Sequence, residues 1–251
     1  MSTTDRQPNA PPAPSRLYVI IPPAADPGIL ARALAPALDA AEVAAVLLRL
    51  PDADQDGLMA YARPLVSAVQ DRGIALLLDG HPELAGRIGA DGAHLTGLDS
   101  FMAAVDALKP ERIAGAGGLR TRHDAMMAAQ RGADYVMFGE PDGRRDGQPT
   151  GDVRRPPLEA VVERVAWWAE LFEPPCVAYA GDLDEVSRLA AAGADFVAIG
   201  DSVFSDGAAA SSMIDVAAKR LAAAERTAAA DRAAKQSDAA ARGTARPAKR
   251  S

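Results

Sequence analysis

The chain has 251 residues, of which 49% are hydrophobic and 24% charged, which suits one globular domain with a large core or two small ones. Its formal charge of -7 and isoelectric point near 5.0 argue against a nucleic-acid partner, because phosphate contacts need a basic face. Cys176 is the only cysteine, which excludes an intrachain disulfide and fits a reducing, cytoplasmic location, and no apolar run is long enough to predict a membrane span.

Eight short apolar runs recur along the chain, and a helical pattern follows each of them. Most runs are rich in Val, Ile and Leu without alternation, which is typical of buried parallel strands. The runs are 17–21, 43–48, 74–78, 92–95, 112–115, 135–138, 176–178 and 196–199. Helical patterns lie at 27–40, 58–72, 98–108, 122–131, 158–172 and 183–191, and a short helix begins near Pro82. This alternation predicts an α/β protein with a single (β/α)8 TIM-type barrel over residues 16–222.

The two ends differ from the barrel in composition. Residues 1–15 are rich in Pro, Ala and Thr and lack the apolar core of a secretory signal, so we expect a disordered leader. Residues 223–251 are mostly Ala with Arg, Lys and Asp. We expect this tail to extend the last helix for a few turns, and to be disordered and solvated beyond Gly243.

A Gly-Ala-Asp element occurs three times, beginning at Gly89, Gly132 and Gly193. Each copy follows a predicted helix and opens a strand. The glycine suits a left-handed helix end, and the aspartate can bond the turn backbone before the strand begins. The repeat therefore predicts a stabilising turn at the bottom of the barrel, remote from any chemistry.

Functional side chains of parallel barrels come from the C-terminal ends of the strands and from the loops that follow. The candidates at those positions are Arg49, Asp79, His94, Asp99, Arg120, Arg144, Arg145, Gly181 and Gly200. Gly181 and Gly200 each open a helix after the last two strands, where backbone N–H groups can bind phosphate. The neighbouring Asp182, Asp201 and Ser202 are equally suited to act as helix N-caps.

Asp79 and Asp99 follow neighbouring strands, and together with water and a diphosphate they would suit a Mg²⁺ ion. The alternative is that each carboxylate binds loop N–H groups or an arginine. His94 lies inside an apolar strand, where a histidine bonded to a neighbouring side chain is as common as a ligand or base.

Five segments taken together resemble the thiamine phosphate synthase and TenI-like family over about residues 16–204. The segments are Arg16-Leu17-Tyr18-Val19-Ile20, Val46-Leu47-Leu48-Arg49, Gly89-Ala90-Asp91-Gly92-Ala93-His94-Leu95, Gly132-Ala133-Asp134-Tyr135-Val136 and Gly193-Ala194-Asp195-Phe196-Val197-Ala198. The resemblance implies an enzyme that joins hydroxymethylpyrimidine diphosphate to thiazole phosphate and releases diphosphate with Mg²⁺. It implies small phosphorylated heterocycles as partners and leaves open whether the chain forms a homo-oligomer.

The family's site motifs are only partly kept. The Gln-Leu-Arg-x-Lys motif reads Leu47-Leu48-Arg49-Leu50-Pro51, which keeps the arginine alone, and the Asn-Asp-Arg motif reads Asp79-Gly80-His81. The first metal aspartate therefore falls on Gly80, and the second matches Asp99. The Gly-Val-Ser motif reads Gly115-Ala116-Gly117 and lacks the serine. A stretch with Arg144 and Arg145 replaces the threonines and lysine of the sixth loop, and Asp201 replaces a serine near the phosphate loop.

These departures leave three interpretations. The chain is a divergent transferase in which Arg49, His94, Asp79, Asp99, Arg144 and Arg145 re-form the site, with turnover below that of ordinary members. Alternatively it is a TenI-like protein that binds a phosphorylated ligand without transferase activity, or a pseudoenzyme with a structural or regulatory role.

Overall fold

The structure, a computed structural model, describes residues 13–24, 26–140, 142–145, 148–200 and 210–244. Its strands are β1 (Arg16–Ile21), β2 (Val43–Leu48), β3 (Ala75–Asp79), β4 (Gly92–Thr96), β5 (Ile113–Gly117), β6 (Tyr135–Phe138), β7 (Asp142–Arg145), β8 (Gln148–Arg154), β9 (Cys176–Tyr179) and β10 (Phe196–Ile199). Its helices are α1 (Pro27–Asp39), α2 (Gln55–Gln70), α3 (Pro82–Ile88), α4 (Leu98–Leu108), α5 (Arg122–Gln130), α6 (Leu158–Leu171), α7 (Val186–Ala191) and α8 (Ala210–Thr244), and a 3-10 turn, Leu183–Glu185, precedes α7.

Eight of the strands close into a parallel barrel in the order β1-β10-β9-β6-β5-β4-β3-β2. The predicted barrel is confirmed, and each predicted run lies on one barrel strand. None of the described helices combines the length and the apolar character that crossing a membrane would require.

Two segments differ from the sequence-based expectation. The loop expected after the sixth barrel strand contains an antiparallel hairpin of β7 and β8. An Asp146-Gly147 dipeptide, a common hairpin-turn signal, lies between these two strands in the sequence but outside the described residues. The last helix, α8, continues to Thr244, so its extension into the tail is longer than the few turns expected, although it ends close to the expected limit at Gly243. Its many alanines have the highest helix propensity, which favours a long helix over an unstructured tail.

The core has two layers, because successive strand residues point alternately into and out of the barrel. The outward residues pack against the helices, as Leu17, Val19 and Ile21 of β1 do. The inward residues fill the lumen with a separate cluster: Tyr18, Ile20, Ala45, Leu47, Leu77, Tyr135, Met137, Val177, Tyr179 and Ala198. In the sequence, Arg49 continues the inward series of β2, and Asp79 continues that of β3. This places two charged residues at the C-terminal mouth of the lumen.

The three Gly-Ala-Asp elements form similar joints at the bottom of the barrel. Gly89, Gly132 and Gly193 all have positive φ, between 79° and 102°, which confirms the predicted left-handed glycine. The aspartates reach further than the predicted local turn, since each accepts a backbone N–H at or near the start of a strand. Asp91 binds Leu76 N at 2.7 Å, Asp134 binds Ala114 N at 2.7 Å and Asp195 binds Cys176 N at 2.8 Å.

The joint at Asp91 predicts a loss of stability when the carboxylate is removed. Asp91→Ala leaves the Leu76 N–H of β3 without its side-chain acceptor, whereas the Gln70 amide keeps its second acceptor, the Gly89 carbonyl oxygen. An unsatisfied buried donor costs about 1–3 kcal/mol, so the free energy of unfolding should fall by about that amount in urea titrations. Ligand binding should not change, because this end of the barrel is opposite the mouth. Unchanged unfolding would show that the joint does not stabilise the barrel.

The thiol of Cys176 predicts low chemical reactivity in the folded protein. Burial raises its pKa to about 12, since a thiolate at the start of β9 would lose its hydration. Iodoacetamide at pH 8 should leave native protein unlabelled and should label it rapidly in denaturant, as followed by intact-mass measurement. Rapid labelling of the native state would contradict the buried position.

Candidate active site

A chain of hydrogen-bonded side chains crosses the lumen and ends at the mouth. The hydroxyl of Tyr135 lies 2.9 Å from the hydroxyl of Tyr18 and 2.9 Å from Nδ1 of His94. On the other side of the imidazole, His94 Nε2 lies 3.1 Å from Glu140 Oε1, and Glu140 Oε2 accepts the Gly118 N–H at 2.8 Å. We call these four side chains, Tyr18, Tyr135, His94 and Glu140, the lumen chain. It links β1 to the loops that follow β5 and β6.

The electrostatics of the lumen chain favour a charged pair at its outer end. Burial is the largest effect on the pKa of His94 and lowers it, but the Glu140 carboxylate and Asp79 together raise the net pKa above its usual value. Burial likewise raises the pKa of Glu140, but His94 and the Gly118 N–H more than offset this and hold it below its usual value. Both directions stabilise protonated His94 beside ionised Glu140.

A buried ion pair lies beside the lumen chain. Arg49 is 1% exposed and Asp79 is 4% exposed, and Arg49 Nε lies 3.1 Å from Asp79 Oδ2. Asp79 Oδ1 is also buried and has no hydrogen-bond partner within the described part of the chain. Burial, the largest effect, raises the pKa of Asp79 despite the opposing influence of His94 and Arg49. One carboxylate oxygen is therefore left to bind a ligand.

A cavity of about 370 Å³ opens beside Glu140, at the mouth between β5 and β6. Three arginines, Arg120, Arg155 and Arg164, line it together with Glu140. Arg164 donates to the carbonyl oxygens of Leu119 and Arg120, whereas the exposed Arg120 makes no side-chain hydrogen bond to described residues. The cavity thus contains one carboxylate and three guanidinium groups.

Arg155, which directly follows β8, binds the hairpin to the C-terminal ends of β6 and β9. Its guanidinium donates to the carbonyl oxygens of Gly139 and Tyr179, and it pairs with Glu185, Nη2 lying 2.6 Å from Oε2. The same Glu185 oxygen accepts the Gly181 N–H at 2.7 Å. The N–H group that the sequence predicts for phosphate binding is therefore bonded to a carboxylate of the chain itself.

The other predicted site residues differ in their positions: some are buried, some are exposed and some lie outside the described structure. His94 is fully buried and bonds neighbouring side chains, which is one of the two alternatives expected from its position. Asp99 lies exposed in the first turn of α4, and Asp182 caps the turn after β9. Gly200 is buried at the end of β10. Arg144 and Arg145 lie on β7, whose side chains are outside the described structure, as are Asp201 and Ser202.

Known proteins identify the lineage of this barrel. The sequence model described as thiamine monophosphate synthase matches residues 17–203. The chain belongs to this family. It is 40% identical to the thiamine-phosphate synthase of Rhodospirillum centenum over 188 residues, which cover 73% of this chain and 86% of that protein. It is 35% identical to the thiamine-phosphate synthase of Hyphomonas neptunium over 210 residues, 78% of this chain and 90% of that one.

Solved structures agree with the fold. Thiamine phosphate pyrophosphorylase from Pyrococcus furiosus superposes with a TM-score of 0.66 at 22% identity, covering 83% of this chain and 96% of that one. At this identity the similarity concerns the barrel alone. The resemblance expected from the five sequence segments is thus confirmed at the level of the thiamine monophosphate synthase family.

The structure explains one departure from the family motifs. A Cβ atom built on Gly117 would lie 1.9 Å from Glu140 Oε2 and 2.4 Å from His94 Nε2. No side chain, including the family's serine, fits there while Glu140 holds its position. Gly117 is therefore a consequence of the lumen chain and not an isolated loss.

The mouth fits Mg²⁺ in one respect. Oδ1 of Asp79, which is buried and has no hydrogen-bond partner among the described residues, is a hard oxygen ligand of the kind Mg²⁺ prefers, and Mg²⁺ often binds one or two carboxylates plus substrate phosphates. Among the described residues, no three His, Cys, Asp or Glu side chains converge as a metal site. The residues present therefore suit an ion that a diphosphate also binds, and not a site made by protein ligands alone.

Sequence reasoning places Glu140 at the mouth but assigns it no role, and it misses Arg155 and Glu185. Glu140 follows the sixth barrel strand directly, so its position alone placed it at the mouth. Its role depends on His94 and Gly118, which the barrel closure brings together from strands β4 and β5. Arg155 and Glu185 meet across the hairpin and the loop after β9, and no spacing in the sequence indicates this pair.

Tyr135 lies in the middle of the lumen chain and Tyr18 at its end, so we expect substitutions at these two positions to lower the free energy of unfolding by different amounts. Tyr135→Phe removes the hydroxyl that serves both Tyr18 and His94, whereas Tyr18→Phe removes only the end of the chain. Leaving buried polar groups unpaired costs about 1–3 kcal/mol each, so Tyr135→Phe should destabilise the protein more. Urea unfolding of both variants measures this, and equal losses would argue against a continuous chain.

Proposed function

We propose that this chain is a transferase that makes thiamine phosphate from hydroxymethylpyrimidine diphosphate and thiazole phosphate. The observation that carries the proposal is the family match across residues 17–203, together with 40% identity to a curated thiamine-phosphate synthase. The match includes the mouth of the barrel, where charged side chains converge. In the reaction, the bond from the pyrimidine methylene carbon to the diphosphate breaks, and the thiazole nitrogen forms a new bond to that carbon.

The first requirement of this reaction is neutralisation of the departing diphosphate. Arg49 is suited to this task, because a guanidinium in a site with little water interacts strongly with phosphate oxygens. We propose that Asp79, through its free Oδ1, and Asp99 hold Mg²⁺ there, and that this ion would neutralise further charge on the diphosphate. Arg49 keeps the Asp79 carboxylate oriented toward the mouth through the bond at Oδ2.

The second requirement is a place for each phosphorylated end. Arg120 is exposed at the cavity and is available to bind phosphate, and Arg144 and Arg145 are proposed to approach from β7. Gly181 and Gly200 are proposed to receive the thiazole phosphate at the loops after β9 and β10. For Gly181, this requires Glu185 to give up its bond to the N–H group.

Arg49 gives the sharpest test of this function. Arg49→Ala should lower kcat/KM about 10- to 150-fold, because a charge-assisted bond is worth roughly 1.5–3 kcal/mol. Arg49→Lys keeps the positive charge but lacks the planar guanidinium group, so it should lower kcat/KM less than Arg49→Ala does. The assay follows thiamine phosphate formed from the two purified precursors with Mg²⁺.

The matched control is Arg188→Ala, which breaks an exposed pair with Glu159 on the outer helices. Circular dichroism melting checks that each variant folds, because removing Arg49 leaves Asp79 buried without its partner. Equal activity of folded Arg49→Ala and wild type would contradict the assigned role. Absence of product from wild-type protein would contradict the proposed function and favour the ligand-binding alternative.

A further inference from the structure

Glu140 is a carboxylate held in place on two sides and open on a third. Oε1 pairs with His94 Nε2, and Oε2 accepts the Gly118 N–H. Its side chain is 10% exposed and lines the cavity. A carboxylate has about four lone-pair positions, so each oxygen retains one for a further donor. Glu140 can therefore accept a hydrogen bond from a ligand in the cavity without losing either of its present partners.

The missing side chain at Gly117 is a second, independent indication that the Glu140 carboxylate has a defined position. A Cβ at Gly117 would overlap both Glu140 Oε2 and His94 Nε2. Its φ lies outside the left-handed region, so backbone conformation does not demand a glycine there. The absent side chain instead makes room for the Glu140–His94 pair. The same holds deeper in β5, where a Cβ at Gly115 would overlap the ring of Tyr135.

The charges around the cavity indicate what kind of ligand would complement it. Arg155 is paired with Glu185, but Arg120 and Arg164 attract an anionic group, whereas Glu140 attracts a cation or a hydrogen-bond donor. A ligand that satisfies both has a phosphorylated end and a basic, amino-bearing ring. An aminopyrimidine diphosphate has both parts, since its exocyclic amine donates hydrogen bonds and its ring becomes positively charged when the diphosphate leaves.

Building on the proposed transferase function, we propose that Glu140 binds the aminopyrimidine ring and stabilises the positive charge that develops on it. The electron pair of the breaking carbon–oxygen bond leaves with the diphosphate, and the lone pair of the thiazole nitrogen then forms the carbon–nitrogen bond. Glu140 stays ionised throughout, and this step transfers no proton to it. His94 and Gly117 are positioning residues, because they fix the carboxylate without contacting the ring.

Glu140→Gln tests the charge while nearly preserving the shape. Product formation should fall about 100-fold in kcat, comparable to the loss of one preorganised electrostatic group in other enzymes, with the KM for thiazole phosphate unchanged. Gly117→Ala should displace the carboxylate without removing it and should lower kcat in the same direction. The matched controls are Glu159→Gln at an exposed site and Gly28→Ala at a half-buried position in the first turn of α1, and both should behave like wild type.

A binding measurement separates this proposal from the transferase function. Calorimetric titration with hydroxymethylpyrimidine, which carries no phosphate, should give about tenfold weaker binding to Glu140→Gln than to wild type. Melting curves check that the variants fold. If Glu140→Gln does not fold, Gly117→Ala, in which Glu140 is intact, provides the second test.

The outcomes are distinct. Active wild type with unimpaired Glu140→Gln and Gly117→Ala overturns the role of Glu140 and leaves the transferase function standing. Wild type that forms no product but binds hydroxymethylpyrimidine through Glu140 supports ring recognition while the transferase function fails. Equal binding of the pyrimidine by wild type and Glu140→Gln overturns ring recognition.

Discussion

The requirement that buried polar groups find partners shapes the interior of this barrel. A lumen normally filled by aliphatic side chains here contains Tyr18, Tyr135 and His94, which are all nearly inaccessible to water. Each polar atom of this set bonds the next, and the series ends at a carboxylate that reaches the mouth. Because the interior has a low dielectric constant, losing one hydrogen bond leaves a buried polar group unpaired, which costs free energy of folding. The four side chains therefore hold one another in a single arrangement. The interior therefore helps to hold Glu140 at the mouth, together with the loop after β5, whose Gly118 N–H binds the same carboxylate.

Elements specified by local sequence were predictable from that sequence. The eight strands and their helices follow from apolar runs and helical periodicity, and the left-handed glycines follow from the repeated Gly-Ala-Asp element. Arg49 and Asp79 were placed at the mouth because strand ends in a parallel barrel share one face. The hairpin was not predictable from apolar runs, because β7 and β8 consist mostly of polar and charged residues, and only the Asp146-Gly147 dipeptide indicates a turn.

Contacts between distant segments were not predictable in the same way. The bond between Arg155 and Glu185 joins residues 30 positions apart, and the bond between His94 and Glu140 joins residues 46 positions apart. Their geometry exists only after closure of the barrel. A motif comparison therefore shows a missing serine at Gly117 but not the Glu140 and His94 side chains that fill the same space. Counting lost motif residues underestimates the organisation of this mouth.

The two glycines of β5 have a consequence for how such a sequence can change. Gly115 and Gly117 face the lumen, and their missing side chains make the space that Tyr135 and the Glu140–His94 pair occupy. Acquiring a serine at 117 is therefore blocked while Glu140 is present, and replacing Glu140 first would leave His94 buried without its carboxylate. Single substitutions in either order pass through a strained or unpaired intermediate. Positions 117 and 140 are therefore coupled, so that a larger side chain at one is best accommodated when the side chain at the other changes with it.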